Sequence, residues 1–167
     1  MRNIVLIGMA ASGKSTIGKK LAQRLNMAFV DTDALIEAWW GAPLQAIVDH
    51  LGPDDFVRAE ADQISRLFVE RCVIATGGSV VYSEAAMQHL TELGHVVYLR
   101  ASFNAIAQRL RNPLSRGLAI GPTQSIEELY AERSPLYARF AQLTLDTDTL
   151  TPEETCAKIE LALTAPS

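Results

Sequence analysis

The sequence predicts an α/β domain: a parallel sheet with helices covering both of its faces. Three observations predict it. Short apolar runs, several rich in Val and Ile and nearly continuous, recur along the chain. Continuous runs suit strands buried on both faces. Longer helical patterns separate them, and strands alternating with helices imply parallel crossovers. A glycine-rich turn also sits between the first run and the first helical stretch, where such sheets bind ligands at the carboxyl ends of their strands.

The elements follow in order. Ile4–Gly8 is the first strand, and Lys14–Leu25 is a helix whose Ile17, Leu21 and Leu25 form one apolar stripe. Ala28–Asp31 is the second strand. Asp33–Gln63 is too long for a simple crossover and reads as a helical insertion. Asp55–Arg71, with Phe56, Ala59, Gln63, Leu67 and Glu70 on a mixed face, is a further helix. Trp39 and Trp40, on the insertion's first helix, read as core or rim packing, because aromatic side chains mostly bury area. Cys72–Thr76 and His95–Leu99 are the third and fourth strands, and Ser83 and Ser102 suit the N-caps of the helices after them. Asn112–Ser125, with Pro113, Gly117, Gly121 and Pro122, reads as a long mobile loop of the kind that serves as a lid. Leu143–Asp146 is the fifth strand. At Thr151-Pro152-Glu153-Glu154 a Thr cap, a Pro at the first helical position and a Glu at the third open the last helix.

Composition narrows the function classes. A chain of 167 residues suits one domain spanning 1–167. With 49% hydrophobic and 20% charged residues, wholesale disorder is excluded. Fifteen Lys and Arg against 19 Asp and Glu give a net charge of −4, which provides no field for gathering nucleic acid. The apolar runs are too short to span a bilayer, and the start of the chain lacks the apolar stretch of a secretory signal. Cys72 and Cys156 read as buried free thiols, and the three histidines lack metal-ligand spacing. A small monomeric cytoplasmic enzyme is expected, with neither nucleic acid nor membrane as partner.

The strongest chemical signal is Gly8-Met9-Ala10-Ala11-Ser12-Gly13-Lys14-Ser15, which matches the phosphate-binding pattern G-x-x-x-x-G-K-[ST] between a strand and a helix. Gly8 and Gly13 let the backbone curl so that successive N–H groups face one anion. The helix after them adds its positive N-terminal dipole. Gly8, Ala11, Ser12, Gly13, Lys14, Ser15 and Thr16 are the expected nucleotide-binding residues, with Lys14 on the β- and γ-phosphates and Ser15 on Mg²⁺. The bland alternative is a glycine-rich turn that only happens to match. A GTPase usually carries N-K-x-D, yet the four Asn residues precede Ile, Met, Ala and Pro. A motor ATPase usually carries Asp-Glu, which is absent. Phe29-Val30-Asp31-Thr32-Asp33 ends the second strand, and residues two apart share a face. One carboxylate could support Mg²⁺ and the other could take a proton from an acceptor hydroxyl. Asp33 could also cap the following helix.

Taken together, these motifs resemble the shikimate kinase family, within the nucleoside-monophosphate-kinase-like P-loop enzymes. Met9–Ser15 is similar to the family loop, and Phe29–Asp33 with Ile36, Glu37 and Gly41 to its F-x-D-T-D-x-x-I-E-x-x-x-G stretch. Ala75-Thr76-Gly77-Gly78 resembles its A-T-G-G-G turn, Glu132-Arg133-Ser134-Pro135-Leu136-Tyr137 its E-R-x-P-x-Y signature, and Leu145-Asp146-Thr147 with Pro152 its adenine-side loop. Arg109 and Arg116 are spaced like the adenine-stacking and lid arginines. The resemblance implies ATP and Mg²⁺, a sheet in the order 2-3-1-4-5, an acceptor-binding insertion at 33–63 and a lid at 112–125. It implies that Ser15 and Asp31 support the metal, and that Asp33 binds the acceptor and acts as base. Lys14 and Arg116 would neutralise the transferring phosphoryl, and Arg109 and Asp146 would hold the nucleotide. Gly77 and Gly78 would offer backbone N–H groups to the acceptor, and Arg133 would clamp its carboxylate.

Three departures touch the acceptor side or the lid. Where the family reads F-R-x-x-E, this chain has Phe56-Val57-Arg58-Ala59-Glu60, so Val57 takes the arginine position and Arg58 lies one residue on. One residue is about 100° around a helix. Ser79 ends the glycine turn, and Gly117 follows Arg116 in place of Pro. Arg58 and Ser79 are therefore counted among the acceptor residues, with Asp33, Gly77, Gly78 and Arg133. The expected reaction is transfer of the ATP γ-phosphoryl to shikimate. The alternatives are a related kinase for another hydroxy acid or polyol, and a nucleotide-dependent regulatory module.

Overall fold

The structure, a computed structural model, describes residues 2–110, 118–121 and 123–164. Five strands form one parallel sheet: β1 (Asn3–Ile7), β2 (Ala28–Asp31), β3 (Cys72–Ala75), β4 (Gly94–Arg100) and β5 (Leu143–Asp146). Their order is β2-β3-β1-β4-β5, the order expected. The central strand explains the three layers. Every residue of β1 is buried, and alternation sends successive side chains to opposite faces. Ile4 and Leu6, with Val73, Val97 and Leu99, meet Ile17 and Leu21 of α1 (Lys14–Leu25) and Cys156 and Ile159 of α8 (Pro152–Thr164). Val5 and Ile7, with Ile74, Val96 and Tyr98, meet Met87 and Leu90 of α5 (Glu84–Leu93) and Leu129 and Tyr137 of α7 (Ile126–Phe140).

The insertion is three helices with a small core of their own: α2 (Thr32–Trp40), α3 (Leu44–Leu51) and α4 (Pro53–Ser65). Ile36, Leu44, Ile47, Val48 and Phe56 form that core. Two expectations change here. The helix expected at Asp55–Arg71 is α4, which starts earlier, with Pro53 in its first turn, and ends at Ser65. Phe56, Glu60 and Ile64, four apart, bury its inner face. Beyond Ile64 the chain must turn, and Arg71, at φ 50°, completes the bend into β3. The cap of α2 is Asp31, whose side chain accepts the Asp33 N–H at 3.1 Å, so Asp33 lies inside the first turn. The tryptophans also differ from expectation: Trp39 is 82% exposed and Trp40 45%.

Ser83 and Ser102 cap α5 and α6 (Phe103–Arg109) as expected, accepting from Ala86 N and Ala105 N. Thr151 and Glu154 exchange hydrogen bonds at the start of α8. Helix α7 was not anticipated. Ser125 and Glu128 form a capping box at its start, and Pro135 lies within it. Of the expected lid, residues 111–117 and 122 lie outside the described residues. Leu118 and Ala119 are buried, Leu118 against the main core and Ala119 against the insertion. No helix among the described residues is long and apolar enough to cross a membrane.

Candidate active site

The turn after β1 has the backbone of an anion cradle. Gly8 sits at φ 143°, where a side chain would be strained, and a Cβ there would lie 2.7 Å from the Leu99 carbonyl. Gly13 and Ala11 also have positive φ. An Ala in that region costs about 1–2 kcal/mol, strain that alternating left- and right-handed residues repay by turning N–H groups into one concavity. Lys14 is buried and donates to the carbonyls of Gly8 (2.8 Å) and Met9 (2.7 Å). Burial lowers its pKa to about 8, although Asp33 and Asp31 oppose the shift. Among the described residues it has no carboxylate within ion-pair distance, so the ammonium caps its own loop where a phosphate oxygen could replace those carbonyls. Ser12 Oγ is buried without a hydrogen-bond partner among the described residues.

Ser15 Oγ donates to Asp31 Oδ2 at 2.6 Å. A hydroxyl and a carboxylate oxygen side by side at a helix N-terminus are hard donors of the kind that hold Mg²⁺ beside phosphates. No cluster of three or more His, Cys, Asp or Glu suited to a metal occurs among the described residues, so most of the cation's ligands would have to come from phosphate and water. A groove of about 520 Å³ continues from the loop between Thr16, Gln108, Arg109, Thr147 and Pro152. Arg109 donates to Ala11 O at 3.2 Å on its wall. Asp146 does not line this groove. It pairs with Arg100 at 3.3 Å and accepts the Asp148 N–H, which shapes the loop that brings Thr147 there.

On the other side of Lys14 lies a small enclosed cavity lined by Asp33, Phe56, Gly78, Ser79, Leu118, Ala119 and Arg133. Asp33 is pushed up to about pKa 6, mainly by burial, with Lys14 pulling it down and Asp31 and Glu37 adding to the rise. Arg133 is fully buried. Arginine side chains are ordinarily solvated surface charges, and this one is not. Its Nε donates to Tyr82 Oη at 3.1 Å and its Nη2 to Ala119 O at 2.7 Å, while Nη1 has no partner among the described residues. All its partners are neutral, although burying a cation costs several kcal/mol unless a counter-charge and hydrogen bonds compensate. Tyr137 on the same helix donates to Gly78 O at 2.6 Å, and burial raises its pKa.

The glycine turn differs from expectation in one respect. The Gly77 N–H is not offered to the cavity, because it donates to the buried Thr32 Oγ1 at 3.0 Å. Gly77 is needed for close approach instead. A Cβ there would overlap Glu60 Oε1 and lie 2.6 Å from Asp33 Oδ1. Ser79 lines the cavity, but its hydroxyl donates to Glu60 Oε2 at 2.5 Å. Arg58 is not brought into the cavity. It is 81% exposed, pairs with Asp55 at 2.8 Å, and lines a separate open cleft with Val57 and Tyr82. Arg116 and Gly117 lie outside the described residues. Sequence reasoning missed Thr32, Glu60, Tyr82 and Tyr137 as site residues. Three of them stand inside the quoted D-T-D, F-R-x-x-E and E-R-x-P-x-Y stretches, which were the available signal.

A phosphate cradle thus lies next to a half-buried aspartate and a buried guanidinium. The shikimate kinase family model matches residues 10–164. The chain belongs to the shikimate kinase family. A shikimate kinase of Thermodesulfovibrio yellowstonii is 40% identical over 162 residues, 95% of this chain and 93% of that one. One from Haemophilus influenzae is 41% identical over 151 residues, 88% and 84% of the two chains. Among solved structures, shikimate kinase from Acinetobacter baumannii in complex with shikimate is similar, with a TM-score of 0.87 and 28% identity, covering 98% of this chain and 93% of that one. Within the shikimate kinase family pattern, the Val57 position leaves Arg133 as the only guanidinium lining the cavity among the described residues.

Glu60 gives the site a pH signature. Fully buried, it is raised to about pKa 8, first by desolvation and then by Asp33, with the Ser79 hydrogen bond, Arg133 and Lys14 opposing. A carboxyl raised in the folded state holds a proton that the unfolded chain has already released. Its contribution is therefore complete below the unfolded value of 4.5 and is lost as pH rises through about 8. The melting temperature of the wild type is expected to fall between pH 5 and pH 8, at about 2–4 °C per kcal/mol lost. Glu60→Gln should flatten that fall in a calorimetric pH series. An identical slope in the variant would place the titration elsewhere.

Proposed function

We propose that the protein transfers the γ-phosphoryl group of ATP to a hydroxyl of shikimate, forming shikimate 3-phosphate and ADP. The observation that carries this reading is Arg133, a fully buried guanidinium whose Nη1 has no partner among the described residues, in the same cavity as the half-buried Asp33 and the buried Lys14. A cation held out of water with only neutral partners is matched by an acceptor carboxylate, and a carboxylate raised to about pKa 6 suits a base for a hydroxyl. Family membership supports ATP as the donor.

In this reading the phosphate loop and Lys14 hold the triphosphate. Ser15 and Asp31 support Mg²⁺, which when bound offsets phosphate charge. Asp33 orients the acceptor hydroxyl and takes its proton as the new O–P bond forms and the bond to the ADP oxygen breaks. Arg133 holds the carboxylate, Gly78 and Ser79 line its pocket, and Arg109 walls the nucleotide groove. Arg116 is assigned the lid's charge-neutralising role on its sequence motif alone. The cavity measures about 30 Å³, far below the roughly 300 Å³ at which ligand pockets begin. An acceptor is therefore admitted only when Leu118 and Ala119 withdraw, its carboxylate taking the place of the Ala119 carbonyl on Arg133. Ala119 also lines the open cleft beyond, so withdrawal joins the two spaces. The buried free thiols Cys72 and Cys156 suit a reducing cytoplasm.

Val57 favours a second reading, in which the acceptor is another hydroxy acid that needs only one guanidinium. Steady-state kinetics on two variants separate the arginines. Arg133→Ala is expected to lower kcat/KM for shikimate by about 10²-fold or more, the scale of 2–5 kcal/mol for breaking a buried charged pair. Arg58→Ala should change it by less than about twofold, as for an exposed pair. A large Arg58→Ala effect would mean that α4 turns on acceptor binding. Faster turnover of quinate or gluconate than of shikimate would favour the second reading.

A further inference from the structure

The Ser79 side chain is not explained by its backbone. At φ −88° and ψ −9° the residue is in an ordinary right-handed conformation, so neither glycine nor serine is required there for strain. It is 3% exposed, yet its hydroxyl does not face the cavity that it lines. The hydroxyl reaches across to α4 and donates to Glu60 Oε2 at 2.5 Å. That is the only hydrogen bond the Glu60 side chain makes among the described residues, and its other oxygen, Oε1, is buried and bare among them. Oε1 and Asp33 Oδ1 both crowd the side of Gly77 where a Cβ would stand. Two carboxyl groups from two helices of the insertion thus converge over one glycine in the turn after β3. A single hydroxyl from the turn after β3 fixes one of them. Glu60 also faces Lys14 on α1 and Arg133 on α7.

We propose that Ser79 is a positioning residue that acts through Glu60. Its hydroxyl ties α4 to the turn after β3, holds the Glu60 carboxyl clear of the cavity and so keeps Asp33 aligned on the acceptor. The inference rests on the assignment of Asp33 as the acceptor's base. It departs from the sequence expectation that Ser79 itself binds the acceptor, because the hydroxyl is already committed. Without it, a buried carboxyl with no partner can relieve its burial only by turning toward Asp33 or into the acceptor's space. The nucleotide groove shares neither Ser79 nor Glu60, so ATP binding is untouched.

The experiment compares wild type, Ser79→Ala, Ser79→Thr, Glu60→Met and the Ser79→Ala/Glu60→Met double variant. The readouts are KM and kcat for shikimate, KM for ATP, and melting temperature. Ser79→Ala is expected to lower shikimate kcat/KM about tenfold, the scale of one buried hydrogen bond between neutral groups, with the ATP KM unchanged. Ser79→Thr, which keeps the hydroxyl, should restore it. In the Glu60→Met background, Ser79→Ala should cost nothing further, because the carboxyl it restrains is gone. Additive losses in the double variant, or no loss in Ser79→Ala, would overturn the proposal. So would a loss shared equally by the ATP KM and the melting temperature. If Glu60→Met fails to fold, the Ala and Thr variants decide alone. A folded wild type that does not phosphorylate shikimate overturns the proposed function, and the role of Ser79 with it. An active wild type with an unchanged Ser79→Ala variant overturns only the latter.

Discussion

Asp33→Asn is expected to reduce phosphoryl transfer by about 10²–10⁴-fold, the range over which a positioned general base contributes. ATP and Mg²⁺ binding should persist. The substitution keeps the side chain's shape within the first turn of α2, where the backbone N–H of residue 33 still donates to Asp31, and removes only the proton acceptor. In the proposed function the same residue is expected to set the acid limb of the wild-type profile. With its pKa raised to about 6, chiefly by burial, kcat/KM for the acceptor should rise with pH through about 6. An ordinary aspartate would already be ionised near 3.8. Single-turnover transfer with pre-bound ATP is the measurement. An Asn variant of wild-type rate, or a profile flat from pH 5 to 7, would remove Asp33 from the chemistry.

Lys14→Met should leave the protein folded and lower turnover by about 10²-fold or more, the usual cost of one charge-stabilising donor. The fold is expected to survive, because the ammonium's partners are the carbonyls of its own loop. A Met also takes the same path without the cost of a buried charge. That cost is visible in the wild type, where burial holds the lysine down at about pKa 8. Circular dichroism and steady-state kinetics together decide this. A well-folded variant with wild-type turnover would contradict the phosphate role.

The sheet was legible because its strands are buried on both faces. Continuous apolar runs such as Val5–Ile7 and Val73–Ala75 leave few alternatives to a parallel core. The phosphate loop was legible because glycine, lysine and serine at that spacing answer local backbone demands. Helix α7 was hidden by Pro135, which argues against a helix locally and is tolerated where Arg133 and Tyr137 anchor the same element in the core. The end of α4 was hidden because the amphipathic pattern runs past Ser65, whereas the return to β3 is a tertiary demand. At the site, the carboxylates and Arg133 could be named from motifs. Their environment could not, since the burial of Arg133 and the Ser79–Glu60 bond arise only when α4, α7 and the β3 turn converge. Nothing in the order of residues told Arg58 from Val57 as the side chain nearer the cavity. The helix rotation set by Phe56 and Ile64 in their two cores places both in the outer cleft.

Shikimate as the acceptor is decided by incubating the folded protein with ATP, Mg²⁺ and shikimate, following ADP release and identifying the product by phosphorus NMR. One phosphate ester on the shikimate ring is expected for each ADP formed, with ADP release dependent on shikimate and lost in Asp33→Asn. Nucleotide binding without shikimate-dependent ADP release, in a protein that phosphorylates a different hydroxy acid, would rule shikimate out.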